Sequence, residues 1–122
     1  MPAIPSSVLR KLYVTGSLRA EDDGFALELK NTIAPATIVA FNGLDVDGQP
    51  MERTQITLAS PGGVPRPADA ICEQTPMHFP INVTLTLFAT GETLEPGPHE
   101  LIVHAVIQEV GPIDIPISDA LA

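Results

Sequence analysis

The sequence predicts a single all-β domain over residues 1–122, a β-sandwich or flattened barrel of about seven to eight mostly antiparallel strands. Three observations lead there. Apolar and polar residues alternate in short runs: Leu27 and Leu29 with Glu28 and Lys30, Val83, Leu85 and Leu87 with Thr84 and Thr86, Ile113, Ile115 and Ile117 with Asp114 and Pro116. A period of two marks a strand with one buried face. Proline and glycine, 13 and 9 of the 122 residues, break the chain so often that no helical i, i+3, i+4 pattern persists. The runs also recur at spacings of roughly 8 to 15 residues, as strands of a sandwich do.

Leu12, Val14 and Leu18 carry the first alternation, and Asp23-Gly24 turns the chain into a second run from Phe25, which makes a hairpin. Between Lys30 and Thr37 the alternation stops. Pro35 removes an N–H that a central strand needs, so this segment reads as a loop or a bulged crossing. Residues 38–41 and 44–46 are extended with a bend at Asn42-Gly43, and Asp47-Gly48 is a tight turn toward a hairpin partner at 54–58. Residues 60–67, with three prolines and two glycines, form the longest loop.

Residues 68–74 fit one helical turn or a short edge strand, and Pro76 and Pro80 interrupt the chain beyond them. Residues 81–89 are the clearest strand, linked through 91–98 to a long one over 100–110. There Leu101, Val103, Ala105 and Ile107 share one side, and Ile102, His104 and Val106 the other. Apolarity on both sides predicts a central strand, or one whose outer face meets another subunit. Gly111-Pro112 leads into 113–117, where Pro116 marks an edge.

Little in the chain is reactive. Cys72 is the only cysteine, so no disulfide can form within one copy and no C-x-x-C metal pair exists. Six basic against fifteen acidic residues give a net charge of −9, which repels nucleic acid and anionic membranes. His99 and His104 lie five apart on one predicted strand and so point to opposite faces, which prevents a shared metal. His104 reads as a half-buried histidine bonded to a neighbouring strand, and His78, in a loop, as a contact residue. The carboxylates fall in turn pairs such as Asp22 and Asp23 or Asp45 and Asp47, and no nucleophile-elbow, phosphate-loop or zinc-helix motif occurs. The expectation is a chain with no catalytic residue, cofactor or metal of its own.

The first ten residues carry no basic segment followed by an apolar stretch, and no apolar run reaches the length of a membrane span, so the cytoplasm is the expected location. Asn82-Val83-Thr84 fits a glycosylation sequon, but without an export signal it reads as polar residues on the outward side of a strand.

Ile4-Pro-Ser-Ser-Val-Leu-Arg-Lys-Leu-Tyr-Val-Thr-Gly-Ser-Leu18 and Gly24-Phe-Ala-Leu-Glu-Leu-Lys-Asn-Thr-Ile-Ala-Pro-Ala-Thr-Ile38 resemble the opening of the small β subunit of bacterial C-glycoside deglycosidases. Leu44-Asp-Val-Asp-Gly48, Phe79-Pro-Ile-Asn-Val83 and Leu94-Glu-Pro-Gly-Pro-His-Glu-Leu101 resemble it too, in the same order. The resemblance implies a non-catalytic accessory subunit of a heteromeric carbon–carbon lyase acting on 3-oxo-C-glycosides. Its partner would be a larger barrel-type α subunit that holds a divalent metal, manganese, and the acid/base groups. Lys30, Asn31, Thr32, Ala34 and Pro35, where the strand pattern fails, are the expected partner contacts, with His78 and Phe79. The alternative is a free-standing binding or structural module that forms homo-oligomers through the face containing Ile102, His104 and Val106.

Overall fold

In the computed structural model, which describes residues 5–121, the alternating segments become ten strands in two antiparallel sheets. They are β1 (Arg19–Glu21), β2 (Gly24–Lys30), β3 (Ala36–Val46), β4 (Gln49–Met51), β5 (Ile56–Ala59), β6 (Arg66–Pro67), β7 (Met77–Phe79), β8 (Thr84–Thr90), β9 (Gly97–Ile107) and β10 (Gly111–Leu121). One sheet runs β1-β2-β8-β5-β6, the other β10-β9-β3-β4, with β7 beside the start of β3. The sheets do not close into a barrel, so of the two expected architectures the sandwich is the one formed. Four of the ten strands, β1, β4, β6 and β7, are pieces of two or three residues that alternation cannot reveal.

Alternation sends Phe25, Leu27 and Leu29 of β2 and Leu85 and Leu87 of β8 inward against Phe41 and Leu44 of β3, Leu101 and Val103 of β9 and Ile115 and Ile117 of β10. All are buried in one cluster. Each such side chain contributes about 1.5–3 kcal/mol by leaving water.

The start of the chain departs from the expected strand. Leu9, Leu12 and Tyr13 are buried at i, i+3, i+4 spacing, and they form a four-residue helix α1 (Ser6–Leu9) continued by a 3-10 turn, Arg10–Leu12. Only Tyr13 then bridges to Leu29. The first hairpin joins β1 to β2 around Asp22-Asp23, one residue earlier than read from the sequence. Gly24 begins β2 for a steric reason: a β-carbon there would collide with the Ala89 carbonyl oxygen on β8.

The expected bend inside β3 is a pair of bulges. Against β9, Ile38 faces Ile107 but Ala40 faces Val106, and Phe41 faces Ala105 but Gly43 faces His104. The extra residues, Val39 and Asn42, advance the inward set to Ile38, Phe41 and Leu44. Gly43 takes φ +142 at the second bulge, with space for a β-carbon limited by the Met51 carbonyl. The turn at Asp47 (φ 49) and Gly48 (φ 84) has the two left-handed residues of a type I′ hairpin. Its partner is β4, not 54–58. A capped 3-10 turn, Arg53–Gln55, carries the chain across to β5 in the other sheet.

Residues 68–70 take the helical-turn option. β8 starts at Thr84 because Asn82 adopts φ 70 in a turn closed by Val83 N–H to the Pro80 carbonyl, which also removes Asn82 from the strand where it was expected. β9 is central, as its two apolar sides predicted. β10 is an edge strand, as Pro116 predicted, and pairs with β9 residue for residue from Gly111 opposite Ile107 to Leu121 opposite Gly97. Among the described residues no helix is long and apolar enough to cross a membrane.

These registers give the sandwich two ends. Lys30, the crossing 31–35, β7 and the 108–110 turn share one; the turns at 22–23 and 47–48 and the segment 91–96 share the other.

Candidate functional site

Asn31 is the one buried polar residue in the described chain, 2% exposed. Its amide donates to the Val83 carbonyl and its carbonyl accepts from the Asn82 amide, which extends the β2–β8 pairing past Lys30. The side-chain NH2 donates to the Ala34 carbonyl at 2.7 Å and the Phe79 carbonyl at 2.6 Å. The side-chain oxygen accepts from the Ile33 amide at 3.1 Å and the Ala34 amide at 3.4 Å. A short polar side chain thus satisfies the backbone of a sheet-to-sheet crossing that has no ladder of its own.

This arrangement brings the expected contact residues together and divides them into two kinds. Asn31 and Phe79 are buried and hold the rim in place. Lys30, Thr32, Ala34, Pro35 and His78 are exposed on it, with His78 opposite Thr37 in the β3–β7 register. Sequence reasoning missed two members. Ile33 is 38% exposed in the loop, and a large aliphatic residue inside a segment where the strand pattern stops was its signal. Glu109 accepts from both the amide and the hydroxyl of Thr37, each at 3.0 Å. Slight burial opposes its ionisation, but the Thr37 amide, its own amide and the Thr37 hydroxyl hold its carboxyl below the usual range.

Behind the rim the two sheets part around a partly open cavity of about 110 Å³. Leu29, Leu85 and Leu58 line it from one sheet and Val103, Ala105 and Ile107 from the other, while Leu9 and Leu12 close one side and Ala34, Pro35 and Glu109 lie at the mouth. Space of this size unfilled by side chains costs an aliphatic core on the order of 2–3 kcal/mol.

The outer face of β9 is more polar than its sequence suggested. Between Ile102 and Val106, His104 places Nδ1 2.6 Å from Asp114 Oδ1 and Nε2 2.9 Å from Asp45 Oδ2. With a carboxylate oxygen facing each ring nitrogen, the arrangement favours the charged, doubly protonated imidazolium. Partial burial works against that charge, but the bonds to Asp45 and Asp114 prevail and raise its pKa. His99 sits likewise between the Glu95 carbonyl and Asp47, each at 2.6 Å, and its pKa is raised by them in that order. His99 and His104 are thus each bonded to neighbouring segments, and among the described residues no three of His, Cys, Asp and Glu form a group able to hold a metal. Cys72 is exposed, and its thiol pKa is lowered by hydrogen bonds from Thr75.

No curated protein matches the chain. A family model described as the N-terminal domain of hydroxymethylglutaryl-CoA reductase matches residues 8–122. That match overturns the resemblance to the C-glycoside deglycosidase β subunit, and the expectations that rested on it alone, a manganese site and a barrel-shaped partner, lose their basis. Part of the resemblance lay in turns that β folds of many families share: Asp47-Gly48 is the type I′ turn, and 94–96 belong to the link between β8 and β9. With nearly its whole length matched, the chain belongs to the hydroxymethylglutaryl-CoA reductase N-terminal domain family.

Proposed function

We propose that this chain is a non-catalytic accessory module that docks on a larger catalytic polypeptide through the rim at 30–35 and 77–79. The observation that carries this reading is the Asn31 latch. A crossing loop held on both sides by a buried side chain presents Ile33, Ala34 and Pro35 to solvent in one fixed shape, and a pre-organised surface loses little entropy on binding. The family's name, that of one domain of hydroxymethylglutaryl-CoA reductase, makes such a reductase the first catalytic partner to test. The cytoplasm is the proposed location.

Photo-crosslinking in the cells that make the protein tests this. A crosslinker at Thr32 on the rim is expected to capture one larger polypeptide in stoichiometric amount, and one at Glu92, at the opposite end, is not. Capture of a second copy of this chain from Thr32 would favour the homo-oligomeric module instead. Equal capture from both positions would sink the docking rim.

A further inference from the structure

We propose that the cavity between the sheets is a binding site for a small, neutral hydrocarbon group, such as a short alkyl or branched aliphatic chain whose polar end, if it has one, is uncharged and stays at the mouth. The size fits: a cavity of about 150 Å³ lined by aliphatic and aromatic side chains takes up benzene or xenon, and this one holds about 110 Å³ with a partly open mouth. Apart from Asn31, Pro35, Phe79 and Glu109, the lining is Leu, Ile, Val and Ala. The polar groups that reach the site are engaged elsewhere. Both hydrogens and the oxygen of the Asn31 carboxamide are bonded to Ala34, Phe79 and Ile33, and among the described residues no buried side-chain nitrogen or oxygen lacks a partner. Among the described residues the interior therefore offers no free buried side-chain group to a polar head or a bound water, which needs two to four polar partners.

The mouth decides the charge. The Glu109 carboxylate lies there, fixed by the two bonds from Thr37, in a chain of net charge −9. An anionic head is repelled at that position. A cationic head would have one exposed carboxylate to pair with, which is worth little in water. The ligand class is therefore the neutral one. This inference concerns the interior and does not depend on the docking rim.

The test uses the full chain with xenon, 1-hexanol and hexanoate as probes, followed by methyl NMR. Xenon and 1-hexanol are expected to shift the methyl signals of Leu29, Leu85 and Ile107 in a saturable way and to leave those of Val64, far out in the 60–65 loop, in place. Hexanoate is expected to bind at least about tenfold more weakly than 1-hexanol. Ala105→Leu fills the cavity and should abolish the shifts with the melting temperature kept or raised. Should that variant not fold, Ala36→Val at the mouth serves the same purpose. Absence of saturable shifts with xenon, shifts that survive the filling variants, or hexanoate binding as tightly as 1-hexanol would each overturn the assignment.

Discussion

The Asn31 carboxamide donates to the Phe79 carbonyl at 2.6 Å, joining the end of β2 to the end of β7 across 48 residues of chain. The same side chain closes the adjoining loop, 32–35. Asn31→Ala leaves the Phe79 and Ala34 carbonyls and the Ile33 amide without their partner, and should destabilise the fold by roughly 2–4 kcal/mol. Asn31→Asp, which loses both donors and buries a charge, should cost at least as much. Urea unfolding of both variants measures this, and a loss below about 0.5 kcal/mol for Asn31→Ala would remove the latch from the account.

Tyr13 fastens the start of the chain to the far sheet. Its hydroxyl donates to Asp119 Oδ2 at 2.6 Å and accepts from the Leu18 amide at 3.0 Å. Burial first, and then the bond to Asp119, raise its pKa. Tyr13→Phe strands the Leu18 amide and should cost roughly 1–2 kcal/mol, seen as a lower denaturation midpoint with an unchanged slope.

Histidine protonation gives the fold a pH dependence of definite sign. His104 has a raised pKa when folded, so its contribution is fully present below the unfolded value of roughly 6.5 and is lost as pH rises through the folded value. His99 acts in the same direction. Stability lent by the Asp45–His104–Asp114 bridge should therefore fall on going from mildly acidic to alkaline buffer, and the gap between the native chain and His104→Gln should narrow with it. Ring-proton NMR titration supplies the folded pKa. A value at or below that of an unstructured histidine would contradict the bridge.

Gly24 is required by its neighbour rather than by its own backbone. A β-carbon there meets the Ala89 carbonyl, so Gly24→Ala must push β2 away from β8 at that end. The expected cost is about 2 kcal/mol or more, with faster amide exchange at the 24–26 end of β2 than at 28–30.

Much of the sandwich was legible because period-two alternation survives wherever a strand buries one face without interruption, as in β2, β8 and β9. Pro116 announced the edge strand because a missing N–H is tolerated only there. β3 hid itself: two bulges move its buried residues to Ile38, Phe41 and Leu44, steps of three that resemble neither period. The opening helix was available in Leu9, Leu12 and Tyr13, but Leu12, Val14 and Leu18 fit a strand that starts at Leu12. At the rim, the break in pattern after Lys30 pointed to the right segment. What it could not show is that Asn31 turns inward, since its partner carbonyls come from β7 and the loop's own far side. That His104 is half-buried and bonded to a neighbouring strand was legible, but its partners were not, because Asp45 and Asp114 arrive beside it only through the registers of β3 and β10.

Whether this chain works through its rim on a larger polypeptide is decided by native mass spectrometry combined with hydrogen exchange on the protein isolated gently from its own cells. The expected result is a complex with one larger catalytic chain, in which amides of 30–35 and 77–79 exchange more slowly than in the free chain while those of 91–96 do not change. A species made only of copies of this chain, or a complex in which 91–96 is protected and the rim is not, would contradict it.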